Sequence, residues 1–129
     1  MKTIHRMITN ICSDNLAKSK AFYTSLFNFK LVYDSDWFVH LVSTEGGLEL
    51  GIIDRTNAIV PKDTQVHPQG FYISFVVDSA DELFKLAQSK NYTIHSEPTD
   101  TFYGQRRLLL KDPDGTLVDV SSPIPDFKF

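Results

Sequence analysis

The stretch "LLLKDPDGTLVDVSSP", residues 108–123, decides how this chain is read. Pro113 and Asp114 suit the middle of a type I turn, and Gly115 can take the positive φ that closes a hairpin. Two strands therefore meet there. Along the second strand side chains alternate between faces, so Val118 and Val120 point one way and Leu117, Asp119 and Ser121 the other. With the valines in the core, Asp119 looks into whatever lies opposite.

Working outward, "GFYISFVVD" (70–78) reads as a strand with Ile73, Phe75 and Val77 on one face and Tyr72 and Ser74 on the other. "SADELFKLAQSK" (79–90) follows, with a capping-box pattern in Ser79 and Glu82 and apolar Ala80, Leu83, Phe84 and Ala87 at i, i+3, i+4, i+7. This predicts a helix. "YTIHSEP" and "QRRLLLKD" supply further strands, so the second half reads βαβββ. The first half has the same order. Residues 8–12 form a strand, and Asp14 or Asn15 caps a helix with Leu16, Phe22, Tyr23 and Leu26 roughly on one face. Asn28 can take the left-handed conformation that ends it. "KLVYDSDWFVHLVS" then gives two strands and "GLELGII" a third. Between the halves, "DRTNAIVPKDTQVHPQ" is polar, holds two prolines and reads as a linker with little regular structure. The expected organisation is one domain over 1–129: module one 1–53, linker 54–68, module two 69–122 and a tail 123–129.

The repeat gives Asp119 a counterpart. The last strand of the first half contains "LELG" and that of the second "LVDV", so Glu49 and Asp119 are read as equivalent, one carboxylate from each half. A pseudo-twofold axis would bring them together across a groove. The open faces of the first strands add Tyr72 and Ser74 in one half and Ile8 and Asn10 in the other, so the expected cleft is lined by Glu49, Asp119, Tyr72 and Asn10.

Composition narrows the classes of function. Hydrophobic residues are 42%, charged 22%, and sixteen residues are aromatic, which suits a globular core with rings to spare for a stacking cleft. A net charge of −3, with no basic run longer than "QRR", argues against a hold on nucleic acid. The start "MKTIHRMITN" lacks a signal-peptide stretch, no segment is long enough to cross a bilayer, and the single Cys12 excludes an internal disulfide. A cytoplasmic protein is expected, with Cys12 as a small buried side chain.

In sum these motifs resemble the vicinal oxygen chelate superfamily of glyoxalases, extradiol dioxygenases, fosfomycin-resistance enzymes and bleomycin-resistance proteins. "DNLAKSKAFYTSLFNF" is similar to its Asp-Leu, Ser, Phe-Tyr, Leu-Gly-Phe signature, and "DPDGTLVDV" to its Asp-Pro-Asp-Gly-Asn ending with an acid three residues on. The resemblance covers nearly the whole chain. It implies an α+β fold in which two βαβββ modules form curled mixed sheets around a cleft, commonly completed by dimerisation. Metal-dependent members take ligands, typically His or Gln, Glu, His and Glu, from positions that here read Ile8, Glu49, Tyr72 and Asp119. Two carboxylates remain and both imidazoles are missing, short of the three protein ligands usual for a catalytic site.

"IVPKDTQVHPQGFYISFVVDSADELFKL" and "TFYGQRRLLLKDPDGTLVDV" resemble the bleomycin-resistance branch, which implies binding of a bulky cationic ligand without chemistry or a cofactor. On that reading Trp37, Phe102 and Tyr103 supply flat surfaces, and Glu49 and Asp119 attract a cation. Arg106 and Arg107 point to opposite faces, so one at most lines the groove; Arg106 is kept among the expected ligand-binding residues. His40, His67 and His95 are scattered and read as non-catalytic. The expected protein is thus an antibiotic-resistance-like homodimer that binds a small cationic or aromatic compound. The alternative is a metal-dependent lyase, isomerase or dioxygenase of the glyoxalase type, with a divalent metal on Glu49 and Asp119 and a carboxylate moving a proton.

Overall fold

A computed structural model describes residues 3–128. It divides into two compact units, Met1–Pro68 and Gln69–Phe129, and each repeats one βαβββ design. Unit one contains β1 (Thr9–Ser13), α1 (Leu16–Phe27), β2 (Lys30–Asp34), β3 (Phe38–Val42) and β4 (Glu49–Asp54); unit two contains β5 (Tyr72–Val76), α2 (Ala80–Ser89), β6 (Thr93–Asp100), β7 (Gln105–Lys111) and β8 (Leu117–Pro123). The fold class is α+β. Each unit is a mixed four-stranded sheet, ordered β1-β4-β3-β2 or β5-β8-β7-β6, with the first and last strands parallel and the other pairs antiparallel.

Local sequence sets the element ends. Asn15 caps α1, its side chain accepting from Lys18 N at 3.0 Å, and Asn28 stops it at φ 56°. Ser79 caps α2 by accepting from Glu82 N at 3.2 Å, while Asp81 and Glu82 complement the positive end of the helix dipole. At the 112–115 turn, Asp112 accepts from Asp114 N and Thr116 N, both at 2.9 Å, and Gly115 sits at φ +88°.

Each helix covers one sheet face. In unit one the α1 residues Phe22, Tyr23 and Leu26 bury Ile11, Val39, Leu41, Leu50 and Ile52. In unit two Ala80 and Ala87 lie over Leu108, Leu110, Val118 and Val120, all fully buried. Each fully buried large side chain contributes roughly 1.5–3 kcal/mol. The opposite face of each sheet holds Asn10 and Glu49 in unit one and Tyr72 and Asp119 in unit two. No helix among the described residues is long and apolar enough to cross a membrane.

Strand register corrects one expectation. Counted back from the helix caps Asn15 and Ser79, Asn10 and Ser74 are equivalent; Asn10 pairs with Gly51, and Ser74 with Asp119. The counterpart of Asp119 is therefore Gly51, and that of Glu49 is Leu117. A two-residue shift leaves every side chain on its original face, so alternation in the sequence does not reveal it.

Candidate functional site

On the open face of unit one, β1 contributes Asn10 and Cys12, β3 contributes Phe38 and His40, and β4 contributes Glu49, Gly51 and Ile53, placed in rows by the pairings Asn10–Gly51–His40 and Cys12–Ile53–Phe38. A cavity of about 500 Å³ opens there. Its floor is Ile8, Asn10, Cys12 and Ile53; Trp37 and Phe38 form a ring wall, with centroids 5.5 Å apart. The remaining wall is Ile59, Val60 and Pro61. Among the described residues, no charged side chain lines it.

That last wall comes from the segment expected to be a plain linker. Its regular structure is a single 3-10 turn at Lys62–Thr64, yet side chains order it. Gln65 Nε2 donates to Val60 O at 2.9 Å, Arg55 Nη1 to Gln65 O at 2.9 Å, and Arg55 Nε to Asp14 Oδ1 at 3.0 Å. His67 also contacts Asp14, and these partners, His67 foremost and then Arg55, hold the Asp14 carboxyl below its usual range. Cys12, expected to be buried, is half-buried and faces the cavity, its Sγ 3.9 Å from Thr64 O.

Glu49 lies beside the pocket without lining it. Arg6 grips both its carboxylate oxygens, through Nε at 2.9 Å and through Nη2, and His40 Nε2 lies 2.9 Å from Oε1. The Arg6 hydrogen bonds, helped by His40, hold the carboxyl at about 2. A carboxylate already matched in this way is a poor trap for a cation, which corrects the expected role.

On the open face of unit two Tyr72 and Val76 stay exposed, while the carboxylate of Asp119 is matched by its neighbours. Ser74 Oγ donates to Asp119 Oδ2 at 2.8 Å and Ser121 Oγ to Oδ1 at 2.7 Å, while Arg107 Nε lies 3.4 Å from Oδ1. Asp119 is 7% exposed. The valine-flanked acid thus looks into hydroxyls and a guanidinium of its own sheet. The Arg107 guanidinium also lies 5.7 Å above the Tyr72 ring.

Arg106 is corrected. It points to the helix face, where Nε meets Asp81 and Nη1 meets Asp100, each at 3.0 Å, and Asp81 and then Asp100 raise its pKa. Alternation along β7 leaves Arg107 as the neighbour of Asp119. Phe102 and Tyr103 sit at the tip between β6 and β7, edge to face at 5.2 Å, with Phe102 88% exposed. They are not brought to Asp119. Of the expected residues, Asn10 and Trp37 meet at one cavity, and Tyr72 and Asp119 share the polar face of unit two. Arg6, His40, Gly51 and Ile59–Pro61 were missed, and of the opposite-facing pair Arg106 and Arg107 it is Arg107 that meets Asp119. Only Gly51 carried a signal, a glycine inside an apolar strand, which marks close approach by another group.

Comparison with known proteins agrees with this architecture. The model of the family described as Glyoxalase/Bleomycin resistance protein/Dioxygenase superfamily matches residues 4–120. The chain resembles a glyoxalase/bleomycin resistance protein/dioxygenase from Nocardioides at 16% identity and TM-score 0.73, covering 99% of this chain and 89% of that one. A family enzyme from Burkholderia phytofirmans PsJN aligns at 21% identity and TM-score 0.77, over 91% and 97% of the two chains. TnmS3, described as an antibiotic binding protein from Streptomyces sp. CB03234, aligns at 19% identity and TM-score 0.73, over 95% and 98%. At these identities the structural likeness shows the fold alone. The sequence matches none of the curated proteins.

Proposed function

The chain belongs to the glyoxalase/bleomycin resistance protein/dioxygenase superfamily, and from that premise we propose that it binds a small aromatic compound in the pocket of its first module and carries out no reaction on it. The carrying observation is the pocket itself: about 500 Å³, within the range of small-molecule sites, apolar, and walled by Trp37 and Phe38. An antibiotic-binding protein of the same fold supports sequestration as the biological use, and a homodimer is the proposed assembly.

The side chains do not fit a divalent metal. The first-strand positions carry an alkyl group, Ile8, and a phenol, Tyr72; Glu49 is gripped by Arg6, and Asp119 is occupied by two serine hydroxyls. Among the described residues no three His, Cys, Asp or Glu side chains are grouped to hold an ion.

Trp37 is the single tryptophan, so its fluorescence reports on the pocket. Titration with a panel of planar aromatic antibiotics and dyes is expected to quench it saturably, and expression in a susceptible host is expected to raise tolerance to the compounds that bind. Absence of quenching at millimolar concentration overturns the reading. Stoichiometric nickel, zinc, iron or manganese in protein purified without chelator would replace it with the metal-dependent alternative.

A further inference from the structure

We infer that the pocket selects an uncharged planar compound carrying a hydrogen-bond acceptor and donor side by side on one edge, that the Asn10 amide reads this edge, and that Gly51 sets where the amide lies. The inference rests on the binding function proposed above and names the ligand class.

Charge comes first. An ion entering a cavity whose described lining is uncharged loses its hydration without gaining a partner there. Glu49, on the same sheet face, is already matched by Arg6. A neutral ligand meets neither cost.

Polarity comes second. Apart from the Cys12 thiol and the Trp37 indole N–H, Asn10 supplies the polar side chain of the described lining, and its amide makes no hydrogen bond among the described residues. An amide offers one acceptor and an adjacent donor. Its complement is the same pair reversed, as in a lactam or cyclic amide fused to an aromatic ring. The rings of Trp37 and Phe38 suit the flat body of such a compound.

Gly51 makes the arrangement possible. Its φ is not left-handed, so backbone conformation does not demand glycine. Space does: a Cβ at residue 51 would overlap the Asn10 side-chain oxygen and lie 2.9 Å from Phe38 Cε1. The amide therefore occupies the volume a side chain would fill, pressed against the strand beside the Phe38 ring.

Three probes test this by NMR titration of the full chain, read from the Asn10 side-chain amide resonances and from protection of Cys12 against alkylation: 2-quinolone, N-methyl-2-quinolone, which lacks the donor, and the N-methylquinolinium cation. 2-Quinolone is expected to bind best, with the N-methyl compound weaker by about fivefold and the cation by about tenfold, as expected for one lost hydrogen bond and for uncompensated desolvation. Asn10→Ala should erase the difference between the two quinolones. Gly51→Ala should weaken 2-quinolone by about tenfold while leaving resonances outside the pocket in place. Equal affinity for all three probes, or an Asn10→Ala protein that still discriminates, overturns the inference and leaves the binding function standing. Failure of every probe to bind or to protect Cys12 overturns both.

Discussion

In module one the first strand sets Asn10 beside Gly51; in module two the same step sets Ser74 beside Asp119. Where the last strand carries no side chain, the neighbouring amide settles into the gap and an apolar cavity opens beyond it. Where it carries a carboxylate, two hydroxyls and an arginine close around the charge. Duplication supplies two open faces with one backbone plan, and the residue at this position differs between them: a glycine beside an apolar cavity in one, a carboxylate matched by its own sheet in the other. The carboxylate in module one, Glu49, sits two residues earlier and is matched by Arg6 from the segment before β1.

The largest expected effect tests whether module two is self-satisfied. Asp119→Ala removes a buried acceptor from Ser74 and Ser121 and the ion-pair partner of Arg107, and is expected to destabilise the protein by about 2–3 kcal/mol, read from the urea midpoint. A loss below about 0.5 kcal/mol would mean the network is not structural and would break the contrast. Next, Trp37→Ala should weaken binding of any quenching ligand by about tenfold, through lost ring contact, with stability changed by less than about 1 kcal/mol. Comparable loss of both would make Trp37 a core residue.

The helix caps sharpen the comparison further. Asn15→Ala and Ser79→Ala should each cost about 1 kcal/mol. Ser79→Ala should cost less in relative terms, because Ala80 N at that helix start also donates to Ser122 Oγ at 3.1 Å. The smallest effect concerns acid. Glu49 has its pKa lowered from 4.5 to about 2, so the unfolded chain takes up its proton first and the contact's contribution, full above about pH 4.5, fades as pH falls toward 2. In Glu49→Gln the stability curve should be flatter across that window and unchanged in shape above it. An unaltered slope would show that Arg6 does not hold the carboxylate in solution.

Much of this was legible in residues adjacent in sequence. Asn28, Ser79 and Gly115 announce where helices stop, start and where strands turn, because caps and turns are local conformational demands. The alternating valines of β8 announced its buried face. Arg6 was not legible, because it lies 43 residues from Glu49 and no local pattern says which distant side chain meets which. The choice between Arg106 and Arg107 turned on which β7 face meets the helix, a matter of pairing.

By itself the sequence determined the two βαβββ modules, their core faces and the family, since periodicity and capping act over a few residues. Only the tertiary structure decided the two-residue offset between Glu49 and Asp119, the folding back of 55–67 as a pocket wall, and the partners that neutralise each acid. Those depend on register between strands far apart in the chain, where a shift of two preserves every alternation and so leaves no mark in the order of residues.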